Sequence, residues 1–331
     1  MIFPAQGQLV DHHIPAGVLA LALMLLFWAV KYFRAPRRRA LPARGWAGLG
    51  TILLAEFYLV LYGQGWVRWG EPAIFFTPMV WTGYLLLVDG MVWKLAGESI
   101  ISSPRRRFWS LVIWSVPLWL IFEAYNLRLE NWAYVGLPAN PWLSGLGYTW
   151  SFATIWPAIF ETADLMRALG IFKPRARTPI VLSRLSRVSL GLCGLLLVTV
   201  PVLISAHFGR YMFGAVWVGF ILLLDPVLHH WNAPSFLLEL ERGETSILGE
   251  FLLAGAVCGI FWEFWNYWAA AKWLYIFPIG QGSKIFEMPL LGYLGFPAFA
   301  LECRVMYEFC RNLENKILRL RAGHTLETAR P

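Results

Sequence analysis

The chain has 331 residues, of which 58% are hydrophobic and only 15% are charged, and its formal net charge is +8. Soluble domains are about a quarter charged, so this composition excludes an ordinary water-soluble domain and favours a surface that faces lipid. The mean hydropathy of +0.55 and the 19 Trp residues agree with this, because indole rings favour the membrane interface.

Nine apolar runs have close to the roughly 20 residues that a helix needs to cross the hydrocarbon core. We therefore predict an all-α, polytopic transmembrane bundle of about nine helices. The runs are 14–33, 46–67, 73–95, 108–127, 143–168, 188–208, 211–231, 247–270 and 289–311. No basic segment precedes the first run, which argues against a cleaved signal peptide.

Lysines and arginines concentrate in alternate gaps between these runs, 23 on one side of the membrane and 5 on the other. Positive residues stay preferentially in the cytoplasm, so we expect an outside N-terminus and a cytoplasmic C-terminus in a plasma or inner membrane. The basic runs RAPRRR and SPRRR are then orientation signals and contacts to membrane lipid, and we expect no nucleic-acid partner.

The two halves of the chain resemble each other. Residues 80–89 (VWTGYLLLVD) and 216–225 (VWVGFILLLD) are identical at six of ten positions, and IFEAYN at 121–126 aligns with FWEFWN at 261–266. Further matched positions follow in the same order: Trp132 with Trp273, Tyr134 with Tyr275, and Glu161 with Glu302. This order predicts a tandem duplication of four helices.

The duplication divides the chain into four parts. We expect one extra N-terminal helix with a basic loop, two four-helix repeats and a cytoplasmic tail, at 1–45, 46–187, 188–315 and 316–331. An even number of helices per repeat places both repeats in the same orientation, and sites in duplicated membrane proteins often lie at the repeat interface.

Carboxylates inside the predicted spans are the candidate functional residues. A carboxylate at a helix centre costs about 2.5–3.5 kcal/mol on insertion scales, so these side chains must face the protein interior. The deepest are Glu123, Glu161, Glu263 and Glu302, with Asp89, Asp225 and Glu56 as secondary candidates. Each could instead lock helices together through Asn, Tyr or Trp donors, and Asp89 and Asp225 lie near enough to the cytoplasmic ends to reach loop arginines.

The aromatic residues around Glu263 suggest a chemistry. A buried acid could protonate an alkene as a general acid, and nearby ring faces could stabilise the resulting carbocation. The expected substrate-binding residues are Trp262, Trp265, Asn266, Trp273, Tyr275 and Asn126. An interfacial aromatic belt is the plainer interpretation of the same cluster.

Other chemistry finds little support in the sequence. The four cysteines form no CxxC pair, and the adjacent His229 and His230 would point about 100° apart on a helix, so we expect no metal site. Phosphate-binding, dinucleotide-binding and prenyl-diphosphate motifs are missing. We therefore expect no cofactor.

Several segments together resemble the membrane-embedded lycopene cyclase domain family and related carotenoid-modifying enzymes. They are Glu263, Trp273-Leu274-Tyr275, and Phe286-Glu287-Met288-Pro289 with the following LLGYLGFPAFALE (290–302). In the family motif the proline precedes the acidic residue, whereas here Glu287 precedes Pro289. The resemblance implies redox-neutral cyclisation, isomerisation or hydration of a long isoprenoid, with Glu263 and Glu302 as acid and base and Glu123 and Glu161 as their repeat equivalents.

Three functions remain open at this point. The first is an isoprenoid- or carotenoid-modifying enzyme with a lipophilic small-molecule substrate, and its rivals are a proton- or cation-coupled transporter and a structural membrane protein. An enzyme should enclose an apolar cavity with carboxylates converging on it, whereas a carrier should show a polar path to water. The oligomeric state does not follow from the sequence.

Overall fold

The computed structural model describes residues 39–63, 74–102, 105–172 and 178–328, and this part of the chain is mostly helical. Eight helices of at least 18 residues account for most of it. They are α1 (Ala43–Gly63), α2 (Phe76–Ala96), α3 (Arg105–Leu129), α4 (Pro141–Ala168), α5 (Arg184–Leu203), α7 (Phe213–His230), α9 (Ser246–Trp268) and α10 (Gly295–Thr328).

Short elements connect the long helices. The helices α6 (Ala206–Gly209) and α8 (Phe236–Glu241) lie in turns, and a 3-10 helix at Leu290–Leu294 leads into α10. Four short strands are also present, β1 (Trp132–Val135), β2 (Lys272–Tyr275), β3 (Lys284–Ile285) and β4 (Met288–Pro289). Each strand has one antiparallel partner, β1 with β2 and β3 with β4.

Each of the last eight predicted apolar runs coincides with a long helix, and the run 14–33 lies outside the described residues. Five helices are long and apolar enough to cross a membrane, at Ala43–Tyr62, Arg107–Leu129, Arg184–Leu203, Phe213–His230 and Ser246–Trp268. Several of them keep large apolar side chains exposed, among them Leu127 at 87% and Leu203 at 79%. Apolar surface of this extent indicates contact with lipid, so the protein is an integral membrane protein.

Helix α10 corrects the last predicted run, 289–311. The helix begins six residues later, after the 3-10 turn, and continues to Thr328 through a polar segment. The continuation has a physical reason, because leucine, glutamate, lysine and arginine favour helices whether or not the segment is apolar.

The long helices pack in a matched order in the two halves. Helix α2 lies between α1 and α4, and α7 lies between α5 and α10. The halves contact each other mainly through α4 and α9. Large aromatic side chains such as Trp156, Trp265 and Tyr307 fill the centre and are almost fully buried.

Glycines permit close helix contacts in both halves of the chain. A Cβ atom on Gly48 of α1 would lie 2.5 Å from the carbonyl oxygen of Gly83 in α2. A Cβ atom on Gly194 of α5 would lie 2.7 Å from the carbonyl oxygen of Gly219 in α7. Only glycine allows backbones to approach this closely, so both helix pairs depend on these residues.

Candidate functional site

A cavity of about 470 Å³ opens between the helices next to β1 and β2. Its wall is mainly apolar and aromatic, which is typical of sites for lipophilic small molecules. The aromatic side chains that line it include Trp81, Trp119, Trp132, Tyr134, Tyr148, Trp217, Trp262, Trp273, Tyr275 and Phe299.

Phe299 is a shared neighbour of three wall aromatics, Trp119, Trp217 and Trp262. Its ring centroid lies 5.7 Å from that of Trp119 and 5.8 Å from that of Trp262, and the Trp81 ring lies 5.3 Å from Trp262. The rings meet at tilted or edge-on angles, an arrangement that holds a wall of aromatic faces in place. Such faces can stabilise a positive charge inside the cavity.

The strands β1 and β2 bring two tyrosines to this cavity. In β1, the Tyr134 hydroxyl donates to Glu123 Oε1 at 2.6 Å. In β2, the Tyr275 hydroxyl donates to Glu263 Oε1 at 2.9 Å. Burial raises the pKa of both tyrosines, and the neighbouring carboxyl groups raise it further, so both hydroxyls stay protonated at neutral pH.

Two asparagines hold the strands at the ends of their helices. Asn126 accepts from the Trp132 N–H at 3.1 Å and donates to the Trp132 carbonyl at 2.9 Å. Asn266 makes the same two bonds to Trp273, at 2.9 Å and 2.8 Å. The expected binding residues Asn126 and Asn266 therefore position the strands, and neither lines the cavity.

The expected tryptophans divide between the cavity wall and the surrounding bundle. Trp262 and Trp273, with Tyr275, line the cavity. Trp265 does not, and its indole N–H donates instead to Glu56 Oε1 at 2.9 Å. The secondary candidate Glu56 thus links α1 to α9.

None of the four expected catalytic carboxylates lines the cavity directly. Glu123 and Glu263 lie behind the two tyrosines. Glu161 and Glu302 are fully buried; Glu161 lies beside Asp89, whereas the Glu302 carboxyl has no hydrogen-bond partner within the described parts of the chain. The structure therefore brings Glu123 and Glu263 to the cavity wall through Tyr134 and Tyr275, and it does not bring Glu161 or Glu302 there.

The secondary candidates Asp89 and Asp225 stabilise turns at helix ends. Asp89 pairs with Arg44 and accepts from the Ile101 N–H at 2.9 Å. Asp225 accepts from the N–H groups of Phe236 and Leu237, at 2.8 Å and 2.9 Å. The pairing of Asp89 with Arg44 agrees with the arginine contact that the sequence suggests, although Arg44 lies in the first turn of α1. The hydrogen bonds of Asp225 come from backbone N–H groups instead.

The sequence reasoning omitted Trp119, Trp132, Tyr134 and Phe299 from the expected site. Trp132 and Tyr134 carried a signal, because they match Trp273 and Tyr275 in the repeat alignment. Among the described residues, no group of three or more His, Cys, Asp or Glu side chains is arranged to hold a metal ion.

Comparisons with protein-family models, with curated proteins and with solved structures found no match to this chain.

Proposed function

We propose that the protein is a membrane-embedded enzyme that modifies a lipophilic isoprenoid, of the carotenoid class, by redox-neutral proton transfer. The observation that carries this proposal is the aromatic cavity of about 470 Å³, in whose wall two tyrosine hydroxyls are each hydrogen-bonded to a glutamate side chain. Cyclisation, isomerisation and hydration of a polyene all begin with protonation of a double bond, and all pass through a carbocation.

Two features of the cavity support this chemistry. Buried hydroxyl and carboxyl groups supply a proton donor. The surrounding ring faces stabilise a positive charge, and an aromatic wall that excludes water protects the carbocation from attack by water. The proposal needs neither a cofactor nor a metal.

Access from the bilayer supports a lipophilic substrate. Several aliphatic residues of the cavity wall are also exposed at the protein surface, among them Leu137 at 39%, Leu291 at 63% and Leu294 at 73%. An apolar rim of this kind would let a molecule dissolved in lipid enter without crossing water.

We also propose the finer architecture, a nine-helix bundle built from one extra helix and a tandem duplication of four. The matched glycine contacts of α1–α2 and α5–α7 support it, as do the matched bonds of Asn126 and Asn266 to the strands. The arginine distribution supports an outside N-terminus and a cytoplasmic C-terminus.

The test is product analysis in a host that makes long acyclic polyenes. Cells that express the wild-type protein, Glu263→Gln, the exposed control Glu244→Gln or an empty vector are extracted, and their pigments are separated and identified by mass. We expect a new product of unchanged or water-added mass with the wild type and with Glu244→Gln, and its loss with Glu263→Gln. A pigment profile identical to that of the vector would refute the proposal.

One observation favours a second function, a proton-coupled carrier. Glu302 is a fully buried carboxyl without a hydrogen bond in the described residues, and ionisable groups of this kind mark proton pathways in membrane proteins. Reconstituted vesicles loaded with a pH dye test it. Proton flux that Glu302→Gln abolishes would support a carrier, and vesicles no leakier than protein-free ones would exclude it.

A further inference from the structure

The two carboxyl–tyrosine pairs differ in their hydrogen bonds, although they occupy equivalent positions in the two halves. Oε1 of Glu123 accepts three bonds, from the Trp119 indole at 2.8 Å, the Trp132 indole at 3.3 Å and the Tyr134 hydroxyl at 2.6 Å. Indole N–H groups can only donate. Oε1 of Glu123 is therefore the acceptor in all three bonds.

Glu263 lacks the donor that Trp119 provides to Glu123. Its Oε1 accepts from Tyr275, and its Oε2 is buried without a hydrogen bond among the residues that the structure describes. The indole of Trp273 donates to the Tyr275 hydroxyl at 2.9 Å and also lies beside the Glu263 carboxyl. Of the two cations in this region, Lys272 is bound to Glu287 at 2.6 Å, and Lys284 is the one that acts on Glu263. A buried carboxyl with this environment favours the neutral, protonated form.

A single position explains part of this difference. The residue that corresponds to Trp119 in the second half is Gly259, four residues before Glu263. A Cβ atom on Gly259 would lie 2.2 Å from the ring of Phe296. The space that Trp119 occupies in the first half is therefore filled by Phe296 in the second, and Glu263 has no equivalent indole donor.

We propose that Tyr275 is the residue that delivers the proton to the substrate, that Glu263 supplies that proton from behind it, and that Tyr134 and Glu123 form a fixed pair with a structural role. This inference rests on the proposed function and names the active half of the duplicated site. Tyr275 is the catalytic residue because it lines the cavity and, unlike Tyr134, is hydrogen-bonded to a carboxyl group with an unpaired buried oxygen. Glu263 and Trp273 are positioning residues that act through it.

The protonated form of Glu263 makes the step possible. When Glu263 is neutral, its bond with Tyr275 can reverse, so that the carboxyl donates to the Tyr275 oxygen, which also accepts from Trp273. The tyrosine hydrogen is then free to point into the cavity. Tyr134 has no such freedom, because its hydrogen is held by Glu123 Oε1, which also accepts from two indoles. The two equivalent pairs therefore hold their protons differently.

The proton transfer balances without an oxidant or a reductant. A substrate π bond breaks and a C–H bond forms with the Tyr275 hydrogen, while the Glu263 proton moves to the Tyr275 oxygen. The step leaves a carbocation and a Glu263 carboxylate. The cation then loses a proton from a neighbouring carbon, or from an added water molecule, and that proton returns through Tyr275 to Glu263.

The first experiment compares Tyr275→Phe with its repeat equivalent Tyr134→Phe in the polyene-producing host. Because a positioned general acid contributes about 10²–10⁴-fold, we expect product formation to fall by at least about 100-fold more in Tyr275→Phe than in Tyr134→Phe. An equal loss in the two variants, or a larger loss in Tyr134→Phe, overturns the inference while the proposed function stands. A wild-type protein without product refutes the proposed function instead.

The second experiment needs no turnover. Infrared spectra of the purified, detergent-solubilised full chain are recorded at neutral pH, and the spectrum of each variant is subtracted from that of the wild type. We expect Glu263→Gln to remove a protonated-carboxyl band and Glu123→Gln to remove carboxylate bands. Tyr275→Phe should shift the Glu263 band, because it removes the hydrogen bond between the two side chains.

Folding is controlled by elution as a single peak in detergent. If Glu123→Gln fails this control, Trp119→Phe takes its place, because removing one donor should weaken and shift the carboxylate bands of Glu123. A protonated-carboxyl band that survives in Glu263→Gln unchanged from the wild type overturns the inference, whatever the activity.

Discussion

Trp132 lies directly opposite Tyr275 in the antiparallel pair of β1 and β2. The same pair sets Tyr134 opposite Trp273, so each strand presents a tryptophan to the tyrosine of the other. Residues two apart in a strand point to the same face, which explains how all four aromatic side chains reach one cavity. Each half thus contributes one strand to the pair, but the hydrogen bonds that the glutamates behind the strands accept differ between the halves.

The strand pair should depend on the two asparagines. Asn266→Ala removes both bonds to Trp273, and each buried polar group left unsatisfied costs about 1–3 kcal/mol. We expect faster hydrogen exchange of the backbone amides in β1 and β2, measured by mass spectrometry, and the same from Asn126→Ala. Asn312→Ala, which removes a bond to the Glu308 carbonyl within α10, should leave both strands unchanged. Unaltered strand exchange in Asn266→Ala would show that the asparagine does not hold the strand.

The close glycine contacts should be sensitive to a single methyl group. Because a Cβ atom on Gly194 would lie 2.3 Å from the Leu223 nitrogen, Gly194→Ala must move α5 away from α7, at a cost of about 1–3 kcal/mol. The matched control is Gly191→Ala on the same helix, where a Cβ atom would meet nothing within 4 Å. We expect a lower thermal unfolding temperature in detergent for Gly194→Ala and no decrease for Gly191→Ala. Equal behaviour of the two variants would contradict the observed helix packing.

Replacing only one residue of the Arg304–Glu239 ion pair should strongly destabilise the protein. Both side chains are at least 90% buried, and Arg304 Nη1 donates to Glu239 Oε2 at 2.9 Å. Removal of one partner from a buried pair destabilises a protein by about 3–5 kcal/mol, because the other charge stays buried. We expect a large loss of thermal stability in Arg304→Met and a substantial recovery in the double variant with Glu239→Leu.

An exposed ion pair provides the control for this measurement. Glu130, which is bound by Arg210 at 2.9 Å, has 63% of its side chain exposed, and such pairs contribute only about 0–1 kcal/mol. Glu130→Gln should therefore have little effect on unfolding. A double variant no more stable than Arg304→Met would show that the loss comes from packing and not from the unpaired Glu239.

The proposed orientation can be tested by cysteine labelling. In a background without Cys193, Cys258, Cys303 and Cys310, the exposed positions Gln281 and Glu244 are replaced one at a time, as Gln281→Cys and Glu244→Cys. The arginine distribution places 281 outside and 244 in the cytoplasm. A membrane-impermeant maleimide should label the first variant in intact cells and the second only after permeabilisation. The reverse pattern would invert the topology.

The long helices are the part of the fold that could be predicted from the sequence. The run 247–270 became α9 (Ser246–Trp268) because an apolar stretch of this length satisfies its backbone only as a helix in lipid. The burial of Glu263 and Glu302 followed from the cost of exposing a carboxylate to hydrocarbon. Both predictions follow from the free-energy cost of placing polar groups in lipid. Neither requires knowledge of the contacts between helices.

The partners of these carboxylates could not be predicted. The alignment matched Trp132 and Tyr134 with Trp273 and Tyr275, but similarity between two segments does not indicate that they pair with each other. The difference between Glu123 and Glu263 depends on Phe296 filling the space beside Gly259, a contact between separate helices. Such contacts are fixed by the assembled bundle and not by local pattern.

The pairing of β1 with β2 also constrains how the protein is made. About 140 residues separate the two strands, so a nascent chain exposes β1 at the membrane surface well before its partner has left the ribosome. An unpaired strand edge is a template for incorrect association. Insertion of the second half therefore both closes the cavity wall and pairs the exposed strand. A chain truncated before β2 should consequently aggregate and should not retain partial activity.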